Sequence, residues 1–150
     1  MGEFQLTPET DRDTLLGFLK TINLKDPEER KKLRALIPQA TPDQFFTVIL
    51  PYLYEVREDI QEKLQGTKGT IQIQLDGEGG GSFLIQLGEG LKVFSGPPQT
   101  PPDFKIQMDL STWRGIQRRE IQPQMAFFQG KIKFAGNIAL AMKLITLLRG

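Results

Sequence analysis

The hydrophobic period of this chain changes at Gly66. Upstream, Leu53, Val56, Ile60 and Leu64 recur at spacings of three and four with charges between them, the pattern of a helix with one buried face. Downstream, in TIQIQLDG (70–77), Ile71, Ile73 and Leu75 alternate with Gln72, Gln74 and Asp76. That alternation puts one side of a strand in a core and the other towards water. A chain that is helical at first and then turns to period two is expected to be α+β, with helices packed on one face of a sheet.

The helical part carries its own start signals. Thr10 or Asp11 can cap a short helix holding Leu15, Leu16, Phe18 and Leu19. Asp26-Pro27 joins a capping oxygen to a residue whose missing N–H costs nothing in a first turn, and Leu33, Leu36 and Ile37 form the apolar face that follows. Thr41-Pro42 repeats the device ahead of Phe45, Phe46, Ile49 and Leu50. Pro51 is expected to kink or break that helix. Gly66 is expected to end the next one.

The strand part reads as five strands. TIQIQLDG, SFLIQLG and LKVFSG are joined by Gly-rich turns, and GPPQTPPD (96–103) is a rigid loop that cannot continue a sheet. DFKIQMDL supplies a fourth strand with Phe104, Ile106, Met108 and Leu110 on one face. Ser111 is placed to cap a helix with Trp113 and Ile116, and Pro123 opens a short turn with Met125, Phe127 and Phe128. A fifth strand covers Gly130 to Ala135, and Asn137 caps a last helix. The sheet is expected to be mostly antiparallel, with its Gln-rich face wet.

Composition narrows the chemistry. At 150 residues the chain is long enough for a real core. A net charge of +1, with no basic stripe interleaved with aromatics, gives no footprint for nucleic acid. There is no cysteine and no histidine, which removes thiol chemistry, the commonest general base and the commonest metal ligand. No metal site or cofactor is expected. GEGGG (77–81) lacks the Lys-Ser/Thr of a phosphate loop and leads into a strand, so it reads as a hairpin turn. RKKLR (30–34) reads as a solvated helix face or as a contact for anionic lipid head groups. MGEFQLTPET lacks the basic start and apolar run of a secretory signal, and no apolar stretch approaches the roughly 20 residues of a membrane span. A cytoplasmic location is expected.

The last helix is the strongest signal. From Ile138 to Leu148 only Lys143 and Thr146 are polar, so apolar residues cover most of its circumference. Such a helix is either buried by protein on both sides or lines an apolar cavity.

The stretch AFFQGKIKFAGNIALAMKL (126–144) resembles the sterol carrier protein type 2 family. The match runs in order through Pro123, Ala126, Phe127, Gln129, Gly130, Lys131, Ile132, Lys133, Gly136, Asn137, Ala141, Met142, Lys143 and Leu144. A weaker likeness extends back to about Tyr52. The resemblance implies a five-stranded sheet with helices enclosing a hydrophobic tunnel. It also implies non-catalytic binding and transfer of fatty acids, acyl-CoA, sterols or phospholipids. Residues 1–50 have no counterpart and are expected to form a helical extension to a lipid-binding domain spanning 51–150. The expected lining is Ile106, Met108, Trp113, Ile116, Met125, Phe128, Ile132, Phe134, Ile138, Ala141, Met142, Ile145 and Leu148. Gln129 would set orientation at the mouth, and Arg118 or Arg119 would meet an anionic head. Two departures stand out. Arg119-Glu120-Ile121-Gln122-Pro123 replaces the family's Gly-x-Leu-Asn/Asp-Pro, and Leu148-Arg149-Gly150 replaces a peroxisomal tripeptide.

Two rival readings compete with a carrier. One is a small enzyme that folds and cyclises a polyketide or isoprenoid in the same tunnel, with Asp109 or Glu120 moving the proton. The other is an interaction module whose N-terminal helices form a homodimer or hold a partner enzyme. The expected partners of the carrier are an apolar small molecule and, transiently, a membrane surface.

Overall fold

A computed structural model describes residues 4–137 and 139. Seven α-helices and five strands are present among them: α1 (Arg12–Lys20), α2 (Pro27–Leu36), α3 (Pro42–Gln44), α4 (Leu50–Val56), α5 (Glu58–Leu64), β1 (Gly69–Asp76), β2 (Gly81–Gly88), β3 (Gly90–Ser95), β4 (Phe104–Asp109), α6 (Leu110–Gln117), α7 (Pro123–Phe128) and β5 (Ile132–Gly136).

The capping signals act where they were read. Asp11 accepts from the Thr14 N–H at 2.7 Å, which holds its carboxyl below the usual range, and Asp26 accepts from Glu28 N–H at 3.0 Å. Thr41 and Gln44 form a reciprocal capping box. Pro51 does not break its helix. The chain passes from α3 into a π-helical stretch (Phe45–Ile49) and straight on into α4. The wider turn leaves room for a ring that would clash with the carbonyl of an ordinary preceding turn. The break comes later, at Arg57, whose backbone is extended (φ −102°, ψ 107°). Gln61 crosses that break, donating to the carbonyls of Tyr54 (2.8 Å) and Glu55 (3.0 Å). Val56, assigned to the apolar face by its spacing, is 44% exposed because the break turns it outward. Leu110 and Ser111 belong to α6, with Asp109 in the cap position and no side-chain cap bond.

The strand order is β3-β2-β1-β4-β5. β1–β2, β2–β3 and β4–β5 are antiparallel, while β1 and β4 are parallel. The Pro-rich loop between β3 and β4 carries the chain from one edge of the sheet back to the far side of β1. Register aligns Ile71 with Ile85 and Phe104, and Ile73 with Phe83 and Ile106, on one face. The helices cover this face: Phe46 stacks on Phe83 at 4.8 Å, and α6 lies on β1 and β4. The opposite face carries a polar chain. Gln74 and Gln107 each donate to the Asp76 carboxylate at 2.9 Å, lowering its pKa, the Gln107 bond foremost. Gln72, bonded to Ser82 at 3.0 Å, is buried there, so this face is not wet throughout. At the end of β5, Gly136 (φ +110°) lies against Asp103 and Phe104, where a Cβ would strike the Asp103 carbonyl oxygen.

One continuous hydrophobic core runs from Leu6 through the helical layer to Ile132. Leu15 and Leu19 of α1, Phe45, Phe46 and Ile49 of the π-helical stretch, and Trp113 of α6 are all at most 1% exposed.

Candidate functional site

Ile106, Met108, Trp113, Ile116 and Ile132 are buried. Trp113 is held edge-on by Phe45 (5.8 Å) and tilted against Phe46 (5.8 Å), so it faces the helical layer built by the first fifty residues. Its Nε1–H has no hydrogen-bond partner. The expected lining residues on α7 are open instead. Met125 is 50% exposed and Phe128 80%, with Phe127 at 45% beside them. Phe127 stacks on half-buried Phe134 at 4.8 Å, and Phe134 meets Phe104 at 5.5 Å, so an aromatic row runs from the surface to the core. Gln129 lies exposed at the end of α7. Ile138, Ala141, Met142, Ile145 and Leu148 lie outside the described residues. Asn137 accepts from the Ala139 N–H at 2.9 Å, as a capping residue would.

A cavity of about 510 Å³ lies elsewhere, between α2, the α4–α5 break and the end of α6. Leu33, Ile37, Ile116 and Ile121 are among its apolar walls. Lys25, Arg30, Arg34, Arg57 and Arg119 also line it, with Glu58 and Asp59 as the only carboxylates among the described residues. Arg57 grips Asp59 through two bonds (2.6 and 3.1 Å), which lowers the Asp59 pKa. Sequence reasoning named Arg119 as a head-group contact but missed the cavity, which is assembled from segments far apart in the chain. Arg118 is exposed and outside the lining.

The wall at the end of α6 has an unusual backbone. Arg119 N–H donates to the Ile116 carbonyl (3.0 Å) and Glu120 N–H to the Gly115 carbonyl (2.9 Å), the paired bonds of a Schellman cap. The residue at its left-handed position, normally Gly, is Arg119 at φ +62°. Ile121 then folds back onto Gly115, where any Cβ would strike the Ile121 side chain.

A family model described as "SCP-2 sterol transfer family" matches residues 52–149. The chain belongs to this family. α1, α2, α3 and the π-helical stretch lie outside the matched residues. Among curated relatives of the SCP-2 segment, hydroxysteroid dehydrogenase-like protein 2 of Mus musculus is 37% identical over 84 residues, 55% of this chain and 17% of the relative. Sterol carrier protein 2 of Rattus norvegicus is 36% identical over 74 residues, 48% of this chain and 14% of the relative. The chain thus spans a small fraction of each relative's length. The solution structure of the sterol carrier protein domain 2 of Helicoverpa armigera shares the fold at TM-score 0.52 and 28% identity, over 73% of this chain and 91% of that one. No described helix is long and apolar enough to cross a membrane, and no described cluster of three Asp or Glu side chains could hold a metal ion.

Proposed function

We propose that the chain is a non-catalytic carrier that binds an apolar lipid at the surface formed by α7 and β5 and transfers it through the cytoplasm. The observation that carries this reading is the row of Met125, Phe127, Phe128 and Phe134 in a chain whose family is one of sterol transfer. Covering an exposed ring of this size gains about 1.5–3 kcal/mol, so the row is a surface that favours an apolar partner. A sixteen-carbon chain buries about 15 methylenes at ~0.8 kcal/mol each, roughly 12 kcal/mol gross. Association costs of about 4–15 kcal/mol offset much of that. At the low end of that cost about 8 kcal/mol is left, an affinity near micromolar, which suits a cargo that must leave again. The expected lining residues beyond Asn137 would extend the row into a tunnel. Fatty acids, acyl-CoA, sterols and phospholipids are the ligand classes to test.

The cyclising-enzyme reading has less support. Asp109 and Glu120 are both exposed, whereas a proton-transfer carboxylate in an apolar site is raised by burial. The test is native mass spectrometry of the purified chain, then organic extraction and titration with a fluorescent fatty acid. Co-purified lipid and saturable micromolar binding are expected. A chain that carries no lipid and binds none of the four classes sinks the proposal.

A further inference from the structure

We infer that β3 is a self-association edge: two copies of the chain pair their β3 strands antiparallel about Val93 and join their sheets into one. This does not depend on the lipid reading, since β5 and the aromatic row lie at the opposite edge of the sheet.

The backbone shows which groups of β3 are unused. Gly96 N–H donates to the Ser82 carbonyl at 2.7 Å, one step beyond the Phe83–Ser95 pair of the β2–β3 register. Opposed residues in an antiparallel ladder alternate between bonded and non-bonded pairs. Gly96, Phe94 and Lys92 therefore turn their backbone groups towards β2, and Leu91, Val93 and Ser95 turn theirs outward. β3 ends the strand order, and among the described residues no other element bonds those outward groups. The helical layer reaches the face of β3 through α4 and the π-helical stretch, yet Lys92, Phe94 and Ser95 remain exposed. No Pro interrupts the strand; Pro97 and Pro98 come after it. Such an edge is a template for another strand.

The side chains point to a second copy as that strand. Ser95 Oγ meets Asp43 Oδ1 at 3.3 Å, so Leu91, Val93 and Ser95 face the helices, while Lys92 and Phe94 face the Gln-bearing side. Phe94 is 49% exposed there, beside Leu84. A second β3 set about Val93 places Val93 opposite itself and Leu91 opposite Ser95, so every outward N–H and carbonyl of these residues is bonded. Lys92 then falls opposite Phe94 of the other copy in a non-bonded pair, where Cα atoms are about 4.5 Å apart and side chains closest. Its stem covers the ring and its ammonium meets the ring face. The same strand thus supplies both the ring and the cation. Moving the two-fold axis to Lys92 sets lysines opposite each other, which is destabilising. Moving it to Phe94 sets Leu91 against Pro97, which has no N–H to give. The pairing about Val93 is isologous and closed, since it uses β3 in both copies.

A strand pair of this length is a small interface, so sedimentation equilibrium of the full chain from about 10 to 500 µM should show a monomer–dimer equilibrium. Val93→Pro removes an outward N–H that β2 does not use, so the fold should survive while dimer affinity falls about tenfold or more. Phe94→Lys sets like charges opposite each other at an exposed position and should weaken the dimer similarly, with the melting curve unchanged. The chain has no cysteine, so K92C and F94C copies can be mixed and oxidised. The mixed disulfide should exceed both homodimers, because like positions lie on a diagonal about 7–8 Å apart. If Val93→Pro unfolds the chain, Phe94→Lys and the mixed cross-link decide. A chain monomeric throughout leaves the edge to an extended segment of another protein and overturns the inference. So does a dimer that Phe94→Lys leaves intact, or an excess of either homodimeric disulfide.

Discussion

The Phe45–Phe46–Trp113 cluster and the Phe127–Phe128–Phe134 row are built from the same ring contacts, with centroids 5.1–5.8 Å apart in one and 4.8–5.9 Å in the other. In the first, every ring is at most 1% exposed; in the second, Phe127 is 45% and Phe128 80% exposed. Ring contact alone does not decide burial. The closed cluster gathers rings from the π-helical stretch and α6 and sets Phe46 on Phe83 of β2, so helices and sheet converge on it. The open row comes from α7 and the adjoining β5, with Phe104 of β4 at its inner end. The closed cluster joins Phe45 and Phe46, outside the family match, to Trp113 inside it, whereas the open row lies wholly inside the match.

The largest effect should come from removing residues 1–40. This deletes Leu15, Leu19, Ile22, Leu33, Leu36 and Ile37, all buried, and strips α1 from the π-helical stretch. At about 1.5–3 kcal/mol per side chain the gross burial lost is roughly 9–18 kcal/mol. That gross loss is comparable with the ~5–15 kcal/mol by which a whole domain is stable. The truncated chain should lose its cooperative melt and its near-ultraviolet signal from Trp113. A cooperative melt within a few degrees of the full chain would instead make the N-terminal layer an appendage, and position 50 a physical domain boundary.

Next in size is a single ring from the closed cluster. Phe46 is 0% exposed between Trp113 and Phe83. Phe46→Ala leaves a cavity where two layers meet and should cost about 3–5 kcal/mol in urea unfolding. A loss below about 1 kcal/mol would mean the cluster collapses freely, and its closure would then not distinguish it from the row.

Most of the architecture was legible in the sequence because period and caps are local. Asp11, Asp26 and Thr41 each bond an N–H two or three residues away, and the alternation in β1 needs only the next residue. What failed was also local, but turned on geometry that residue types do not encode. Pro51 is absorbed by a π turn, and the break falls at Arg57, which no breaker residue marks. The site was less legible. Met125 and Phe128 were named as apolar contacts, yet spacing could not say that they stand exposed while Trp113 points the other way. The α2–α6 cavity brings Arg34 and Arg119 into one lining from 85 residues apart in the chain.

The smallest effect on stability, and the sharpest on function, is expected from the open row. Phe128 is 80% exposed, so folding removes little of its ring from water. Phe128→Ser therefore forfeits little transfer free energy, and surface substitutions of this kind stay within about 0.5 kcal/mol. The position ends α7 and needs no special backbone, since the chain reaches its left-handed residue at Gly130 (φ +77°) two residues later. Binding is another matter. If a lipid covers this ring, its loss should remove much of the ~1.5–3 kcal/mol that covering it contributes, roughly ten- to a hundredfold in affinity. Urea unfolding and fluorescent fatty-acid titration on the same preparation separate the two quantities. Unchanged stability with weakened binding keeps the row as the lipid contact. Unchanged binding would move the lipid site away from α7, and a loss of stability near that of Phe46→Ala would show that the row is as closed in solution as the cluster it was set against.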